Sequence, residues 1–406
     1  MKTIGIIAEY NPFHNGHAWQ IAEAKKRTEA DYAVIAMSGD FVQRGEPAMT
    51  DKFTRTKMAL AGGADLVLEL PVQYACGSAE YFARGAVSLL HRIGVIDTLC
   101  FGCENEDARA FHALAEVLAH EPDSFQAYLK EALSNGNSFP KARLEALKNW
   151  ISKHPDCSLS ADTCSSLLSS PNNTLGLEYL IACKRKGISM NVLPIKRTGT
   201  DYHALEPNGQ FASATAIRKN PELAADYIPK ESLSILQHAK STCDFHCSKD
   251  YSALLHYALL MKKDYCDFLD INSDLSDRIR NLLPQYESWN QFVTLLKTKQ
   301  LTESRIRRCL LHILLGIRSD IFAENRLPGL SYARVLGFRK SAAPLLGKIK
   351  KEGQIPLLSK TSDAKRLLTE SELVMFELNL RSSAIYHSTD TNRSSYDELR
   401  QPMIVF

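Results

Sequence analysis

The chain contains 406 residues, of which 45% are hydrophobic and 23% are charged, and its formal net charge at pH 7 is +3. These values are typical of a globular protein and exclude a disordered, collagen-like or low-complexity chain. At roughly 150 residues per domain, the length predicts about two or three domains. No apolar run approaches the roughly 18 residues that span a bilayer, so we expect no membrane association. The N-terminus leads directly into a strand pattern without room for a signal peptide, which predicts a cytoplasmic protein.

The ten cysteines include two closely spaced pairs, Cys100 with Cys103 and Cys243 with Cys247. Either pair could contribute to a metal site or consist of reduced thiols. No second Cys or His pair follows at the spacing of a zinc finger. We therefore expect reduced, partly buried thiols and no metal bound by protein side chains.

Strand and helix patterns alternate from the start of the chain. Short apolar runs predict strands at residues 3–8, 32–37, 65–70 and 98–102. Helical patterns separate them at residues 17–29, 53–61 and 78–93. Such alternation predicts an α/β fold with a doubly wound parallel sheet, in which ligands bind at the carboxyl ends of the strands.

The later part of the chain has a different organisation. Helical patterns alone occupy about residues 106–169, which we interpret as an insertion into a first domain that spans residues 1–229. Residues 230–381 carry leucine pairs in long helical patterns and predict a mainly α-helical second domain. A polar tail follows at residues 382–406, and its apolar end could add a terminal strand.

The loop after the first predicted strand carries His14 and His17 on either side of Gly16, at the start of a helix. A glycine lets the backbone approach a ligand closely, and the free amides of a helix N-terminus favour a phosphate. Imidazoles can donate hydrogen bonds to phosphate oxygens and stabilise the charge that develops in phosphoryl transfer. A lone buried histidine is usually structural, but this position favours a catalytic role for His14 and His17.

Two motifs resemble those of the nucleotidyltransferase superfamily that includes class I aminoacyl-tRNA synthetases. The first is the His-x-Gly-His loop, and the second is the segment 211–218, which is similar to the superfamily's Ser-Ser-Thr-x-Ile-Arg segment. The second motif departs from the pattern at Ala214, where a hydroxyl residue often stands. The resemblance implies adenylyl transfer from ATP, with Ser213, Thr215 and Arg218 as possible phosphate contacts.

Further segments narrow the likeness to the bacterial tRNA(Met) cytidine acetate ligase family, and it covers nearly the whole chain. They lie at residues 38–47, 64–71, 101–104, 170–176, 195–197 and 332–338. The resemblance implies an ATP-dependent RNA-modifying ligase that activates acetate as acetyl-adenylate. It would then acetylate N4 of the wobble cytidine of elongator tRNA(Met), forming N4-acetylcytidine. The implied substrates are ATP, acetate and tRNA, with Mg²⁺ expected on the phosphates and no protein partner implied.

The resemblance also implies an ATP site. Gly102, Asn172 and Arg197 would complete it, although Asn173 could replace Asn172. Asn172 could instead be a helix N-cap, and Arg197 an exposed charge at a strand end. The other implied ATP-binding residues follow one another along the first loop and helix: Ile7, Ala8, Glu9, Tyr10, Asn11, Pro12, Phe13, His14, Asn15, Gly16, His17, Ala18, Trp19 and Gln20.

Three polar residues after the second predicted strand have open roles. Asp40, Gln43 and Arg44 would lie at the end of that strand, where a carboxylate substrate or a phosphate could bind.

Positive charge is concentrated between residues 297 and 351, where thirteen Lys and Arg residues accompany three acidic residues. This asymmetry is typical of a region that binds a polyanion, and a solvated helical surface is the alternative. The candidates for tRNA binding are Arg305, Arg307, Arg308, Arg334, Arg339 and Lys340.

Two other functions stay open. The first is a small-molecule adenylyltransferase, although such enzymes are usually a single α/β domain and the helical half would be unexplained. The second is a non-catalytic, nucleotide-dependent RNA-binding protein, against which the intact His14, Gly16 and His17 argue.

Overall fold

The computed structural model describes residues 1–197, 211–242, 245–322, 330–390 and 397–406. Its strands within these ranges are β1 (Thr3–Ala8), β2 (Tyr32–Ser38), β3 (Phe41–Val42), β4 (Glu46–Pro47), β5 (Leu66–Leu70), β6 (Thr98–Cys103), β7 (Asn191–Lys196), β8 (Ala333–Phe338), β9 (Leu357–Leu358) and β10 (Ile404–Val405).

Helices surround the sheet and make up most of the remaining described chain. They are α1 (Asn15–Thr28), α2 (Lys52–Ala61), α3 (Val72–Ala75), α4 (Ala79–Arg92), α5 (Ala108–His120), α6 (Asp123–Ser134), α7 (Phe139–Lys153), α8 (Ala161–Ser169), α9 (Pro171–Arg185), α10 (Ala214–Lys219), α11 (Ala224–Tyr227), α12 (Lys230–Thr242), α13 (Ser252–Leu260), α14 (Ser273–Leu282), α15 (Trp289–Leu296), α16 (Glu303–Leu315), α17 (Ala343–Glu352), α18 (Ala364–Leu367) and α19 (Glu370–His387). No helix in the described ranges has the length and apolar character needed to cross a bilayer.

Five parallel strands form the centre of the sheet, in the order β5, β2, β1, β6 and β7. These strands are largely apolar because helices cover both faces of the sheet. Successive side chains of β5 alternate between two hydrophobic clusters: Leu66 and Leu68 join one, and Val67 joins the other. The α/β fold with a doubly wound parallel sheet, predicted from the sequence, is confirmed.

The C-terminal half extends this sheet with β8, β9 and β10, of which only a terminal strand was expected from the sequence. β8 pairs antiparallel with β5, so that Leu66 is opposite Phe338 and Glu69 is opposite Arg334. β9 and β10 each pair in parallel with β8. The local sequence pattern favours a helical region at residues 333–338, but they form a strand because they pair with β5, far away in the sequence. The domain boundary at residues 229 and 230 remains a prediction.

A buried cluster of ion pairs connects the sheet with the C-terminal tail. The Nζ atom of Lys52 lies 2.7 Å from Glu69, 2.5 Å from Glu398 and 3.5 Å from Asp40. The Nη1 atom of Arg334 lies 3.0 Å from Glu69 and also pairs with Glu398. Burial alone would lower the pKa of Lys52, but attraction to Glu398 and Glu69 outweighs it and raises that pKa. The cluster therefore keeps its charges by mutual compensation.

Candidate active site

A cavity opens at the carboxyl ends of β1, β6 and β7, where parallel sheets commonly bind ligands. The loop after β1, the first turn of α1 and the starts of α9 and α10 form its walls. Pro12, Phe13, Asn15 and Ala18, four of the residues predicted along 7–20, do not line it. The other ten do: Ile7, Ala8, Glu9, Tyr10, Asn11, His14, Gly16, His17, Trp19 and Gln20.

Phe13 supports the loop from behind instead of facing the cavity. Its ring is fully buried, with its centroid 4.9 Å from that of Tyr10 and 5.6 Å from that of His17. A Cβ atom at Gly62 would lie 2.2 Å from this ring, so the end of α2 can approach Phe13 this closely only because residue 62 is a glycine. Phe13 therefore positions the loop through packing.

His14 and His17 cap the N-terminus of α1 reciprocally. The Nδ1 atom of His14 accepts the backbone N–H of Gly16 at 3.1 Å, and the Nδ1 atom of His17 accepts that of His14 at 3.3 Å. The two rings stack with their centroids 3.7 Å apart. A Cβ atom at position 16 would lie 2.9 Å from Cε1 of His14, which explains the glycine there.

Both imidazoles are held in the neutral form. Burial, followed by the charges of Arg197 and Arg218, lowers the pKa of His14 to about 3. Burial, followed by His14 and Arg197, lowers the pKa of His17 well below its usual value. Since each Nδ1 atom accepts a hydrogen bond, the proton of each neutral ring is on Nε2. The loop therefore carries two N–H donors that can bind an anion.

Two arginines place positive charge beside these donors. Arg197 follows β7, and its backbone N–H donates to the carbonyl of Cys103 at 2.9 Å. The Nη1 atom of Arg218 donates to the carbonyl of Asn11 at 2.6 Å, and its Nη2 atom donates to Oγ1 of Thr215 at 3.4 Å. Both arginines line the cavity, and Arg197 is only partly exposed. The arrangement can therefore bind a polyanion.

The start of α10 contributes two hydroxyl groups to the wall. Ser213 is the N-cap of this helix, where its side chain accepts the backbone N–H of Ala216 at 3.0 Å. Ser213 and Thr215 both line the cavity, as expected from the second motif.

The two neighbouring asparagines of α9 have different surroundings. Asn172 lines the cavity, and its Nδ2 atom donates to Glu104 at 2.6 Å. Asn173 is buried, and its Oδ1 atom accepts the backbone N–H of Glu104 at 2.9 Å. The structure therefore brings Asn172 to the cavity and uses Asn173 to fix the turn after β6. Ser170, not Asn172, is the N-cap of α9.

Gly102 lies at the cavity wall as predicted. A Cβ atom there would be 3.4 Å from Cγ of Arg197 and 3.8 Å from Nε2 of Gln20, which are ordinary contact distances. The protein's own neighbours therefore leave room for a methyl group at position 102.

The loop between β2 and α2 forms the remaining wall. Gln43 and Arg44 line the cavity, whereas Asp40 belongs to the buried ion-pair cluster. The carboxylate of Glu9 accepts the backbone N–H of Gln43 at 2.9 Å. The buried guanidinium of Arg55 donates to the carbonyl of Glu9 at 2.7 Å and to the carbonyls of Ser38 and Gly39. These bonds fix the loop against the end of β1.

An apolar part of the wall was not predicted from the sequence. Phe82, Phe101, Leu175, Tyr179 and Ile195 line the cavity. In the sequence they have the spacing of ordinary core residues, and no local signal distinguishes a cavity wall from a core.

Three candidate tRNA contacts lie on α16, at the edge of the sheet that carries the cavity. A Cβ atom at Gly45, in the loop that carries Arg44, would lie 2.4 Å from the backbone nitrogen of Arg308. Arg308 itself is partly exposed, and burial lowers its pKa. Arg305 is also partly exposed, and its Nη2 atom donates to the carbonyl of Asp270 at 3.3 Å.

Arg307 is held by neighbours on both sides. Its Nη2 atom lies 2.9 Å from Glu303, its Nη1 atom donates to Asn290 at 2.9 Å, and its Nε atom is 4.0 Å from Glu46. The last contact joins α16 to the hairpin of β3 and β4.

The other three candidates are less suited to bind tRNA beside the cavity. Arg334, predicted to bind tRNA, is only 5% exposed and its guanidinium group lies within the ion-pair cluster, which disfavours that role. Arg339 donates to the carbonyl of Leu60 at 2.9 Å. Lys340 is exposed, and the backbone N–H of the adjacent Arg339 donates to the carbonyl of Asp65, which precedes β5. Arg339 and Lys340 therefore lie at the amino ends of the parallel strands, opposite the cavity.

Among the described residues, Cys100, Cys103 and Cys247 do not line the cavity. Cys100 and Cys103 are buried, and burial raises the pKa of each thiol to about 12. Cys243 lies outside the described residues. Within the described ranges, no group of three or more His, Cys, Asp or Glu side chains could hold a metal ion.

Comparison with known proteins identifies the family. A family model described as HIGH Nucleotidyl Transferase matches residues 1–401. The tRNA(Met) cytidine acetate ligase of Acetivibrio thermocellus is 37% identical over 421 residues, with 100% of both chains covered. The ligase of that name from Thermoanaerobacter sp. strain X514 is 39% identical over 400 residues, with 97% of each chain covered.

Solved structures agree with this assignment. The crystal structure of apo Thermotoga maritima TmcAL is similar to the chain, with a TM-score of 0.94 and 30% identity over 100% of both chains. A second crystal structure of that protein, bound with alpha-thio ATP, has a TM-score of 0.92 at 30% identity over 100% of both chains. The resemblance inferred from the sequence motifs is confirmed. The chain belongs to the tRNA(Met) cytidine acetate ligase family, within the HIGH nucleotidyltransferases.

Proposed function

We propose that this protein is an ATP-dependent ligase that acetylates N4 of the wobble cytidine of elongator tRNA(Met), through an acetyl-adenylate intermediate. The observation that carries this proposal is the pair of stacked, neutral histidines that line the cavity together with Arg197 and Arg218. Relatives that match the whole chain bear the name of this activity, and the structurally similar Thermotoga maritima TmcAL has been crystallised with alpha-thio ATP.

ATP would bind across the ends of β1, β6 and β7. His14, His17, Arg197 and Arg218 would contact its phosphates, with Ser213 and Thr215 beside them. Gly102 and Asn172 would lie next to the nucleoside. The neighbouring side chains of the protein would tolerate a methyl group at position 102. A nucleoside packed against Gly102 would explain why the residue is nevertheless a glycine.

In the first step an acetate oxygen attacks the α-phosphorus, and the bond from that phosphorus to the bridging oxygen breaks. The electron pair leaves with pyrophosphate. Negative charge moves onto the phosphate oxygens as this happens, and fixed N–H donors and guanidinium groups stabilise it. His14 and His17 would act as donors throughout, so no proton transfer from them is needed.

In the second step the exocyclic amine of cytidine attacks the carbonyl carbon of acetyl-adenylate. The bond from that carbon to the phosphate oxygen breaks, AMP leaves with the electron pair of that bond, and the amine nitrogen gives up one proton to the solvent. The amine is itself the nucleophile, so this route requires no serine or cysteine nucleophile.

Mg²⁺ would enter the site on the triphosphate. Glu9 is the one carboxylate among the described residues that line the cavity, and it already accepts the backbone N–H of Gln43. With this single carboxylate available from the described lining, the metal would be held mainly by phosphate oxygens and water, as is usual for Mg²⁺ bound with a nucleotide. When bound, the ion would neutralise charge on the phosphates.

The tRNA would approach the cavity from the side of α16. Arg305 and Arg307 belong to the basic segment and lie at the edge of the sheet that holds the cavity. A tRNA substrate also agrees with a cytoplasmic location, which we propose for this chain.

A pyrophosphate-release assay tests the function. The protein is supplied with ATP and formate, acetate or propionate, with and without bulk tRNA. We expect ATP–pyrophosphate exchange that depends on acetate without tRNA, and acetylated cytidine in tRNA when all substrates are present. Exchange that requires a phosphorylated metabolite instead would indicate the small-molecule adenylyltransferase. Binding of RNA without any pyrophosphate release would indicate the non-catalytic alternative.

A further inference from the structure

One end of the cavity is not used by the proposed ATP site. The residues proposed for ATP come from β1, β6, β7 and the helices that follow them. Gln43 and Arg44 reach the cavity from the loop after β2, on the other side of β1. With strands about 4.8 Å apart, this loop enters about 14 Å from the end of β7. The cavity therefore extends beyond the strands that would hold ATP.

The lining of the cavity combines the cation of this loop with an apolar surface from α4. Arg44 supplies a guanidinium group at the cavity wall. Phe82, on α4, also lines the cavity, and α4 contacts both β2 and β5. Phe82 belongs to the same hydrophobic cluster as Ile7, which lines the cavity from β1. A charged group and an apolar group of a small molecule could both be contacted here.

The loop that carries Arg44 is firmly positioned. On one side Glu9 accepts the backbone N–H of Gln43 at 2.9 Å. On the other side Gly45 adopts a positive φ of 78° against the backbone of α16, where any Cβ atom would overlap it. The carbonyl of Ala48 accepts the hydroxyl of Tyr386 at 2.8 Å. Arg44 is therefore presented from a fixed backbone, as a residue that sets the position of a substrate should be.

We propose that this end of the cavity is the acetate subsite, in which Arg44 binds the carboxylate and Phe82 contacts the methyl group. The proposal rests on the ligase function proposed above. A guanidinium group matches a carboxylate geometrically and can form two parallel hydrogen bonds with it. It also offsets the repulsion between acetate and the triphosphate. The ligand class is a short aliphatic monocarboxylate whose chain length is limited by the ring of Phe82.

The subsite is consistent with the bonds that form and break in the first step. A carboxylate oxygen held by Arg44 forms the bond to the α-phosphorus, and the electron pair of the broken bond leaves with pyrophosphate. Arg44 contributes charge and orientation, and neither a proton nor an oxidant is exchanged. The acetyl carbonyl is then left next to Phe82, where the cytidine amine must reach it.

Arg44→Gln tests the charge. The measurements are the KM for acetate in ATP–pyrophosphate exchange and the Kd for ATP in the absence of acetate. We expect the KM for acetate to rise tenfold or more while the Kd for ATP stays within twofold of wild type. An unchanged KM for acetate would overturn the proposal. A parallel loss of ATP affinity would also overturn it, because Arg44 would then be a phosphate ligand of ATP.

Phe82→Ala tests the apolar contact. We expect the ratio of kcat/KM for propionate to that for acetate to rise tenfold or more, since the removed ring leaves room for another methylene group. An unchanged ratio in a folded variant would overturn this half of the proposal. If the alanine variant does not fold, Phe82→Leu keeps an apolar side chain while altering the shape of the pocket, and the same ratio is measured.

Two controls separate the possible failures. Lys350→Gln changes an exposed lysine on α17, outside the cavity. It should leave the KM for acetate and the KM for propionate unchanged. Wild-type protein without any acetate-dependent exchange would refute the ligase function itself. Wild-type exchange with an unaltered acetate KM in Arg44→Gln would refute the subsite alone.

Discussion

The imidazole of His17 stacks on that of His14 and accepts its backbone N–H, so the two side chains form one structural unit. A substitution at either position therefore affects the capping of α1 as well as the donors in the cavity. Tests of their chemistry must separate these two effects.

Replacement of His17 separates them when two variants are compared. His17→Ala removes both ring nitrogens, whereas His17→Asn keeps an acceptor near the position of Nδ1 and lacks the donor at Nε2. We expect each variant to lower acetate-dependent ATP–pyrophosphate exchange by about 10²-fold or more, because a fixed donor to the developing charge is lost. The alanine variant should also lose about 1 kcal/mol of stability as the cap is lost, measured by denaturant unfolding. Near wild-type exchange in folded His17→Asn would remove the Nε2–H donor from the mechanism.

Gly102→Ala should affect ligand binding more than folding. A Cβ atom at this position meets only the flexible side chains of Arg197 and Gln20 at ordinary distances. We expect unchanged thermal stability and an ATP Kd raised about tenfold or more, equivalent to about 1.4 kcal/mol. Gly176→Ala is the matched control, because its Cβ atom would lie 2.2 Å from the buried ring of Phe101. That variant should lose about 1–3 kcal/mol of stability through overpacking. Normal ATP affinity in Gly102→Ala would place the nucleotide away from β6.

Arg334→Ala should destabilise the fold without a specific effect on tRNA binding. It leaves Glu69 and Glu398 with one cation fewer in a buried site, which costs about 3–5 kcal/mol. Arg280→Ala is the control, since Arg280 pairs with Asp277 on the surface and should contribute less than about 1 kcal/mol. Denaturant unfolding measures the free energy of unfolding of both variants. Equal stability of the two variants would contradict the role of the buried cluster.

Arginines on α16 should contribute to tRNA binding. We expect Arg305→Ala and Arg307→Ala each to weaken tRNA affinity and to lower the slope of log K against log salt by about 1 for each lost phosphate contact. ATP–pyrophosphate exchange should stay near wild type, because the activation step takes place in the cavity. Lys350→Ala serves as a control: α17 ends against Gly94 before β6, at the sheet edge opposite the cavity. A larger effect at Lys350 than at either arginine would place the tRNA on the other side of the molecule.

The parallel strands could be predicted because each is a continuous apolar run buried between helices. β8 could not be predicted in the same way. Its pairing with β5 joins Leu66 to Phe338, and such distant pairing leaves no trace in a local pattern. The charge of Arg334 within the strand also suggested a surface position. Only the tertiary structure brings Glu69 and Glu398 around it.

The polar half of the site could be predicted because its motif combines two histidines, a glycine and a helix start within four residues. Phe82, Phe101 and Tyr179 could not, since a wall of a cavity and the interior of a core use the same residues. Asn172 and Asn173 show a further limit. Adjacent residues on a helix point about 100° apart, so one faces the cavity and the other the turn after β6. Their order in the sequence does not reveal which.

Glu398 pairs with both Lys52 and Arg334, and it follows both of them in the sequence. During synthesis both cations emerge from the ribosome before this carboxylate does. Until then the interior can close at this point only with Lys52 and Arg334 each lacking one of their carboxylate partners, which is costly away from water. Packing around these two cations can therefore be completed only after Glu398 has been synthesised.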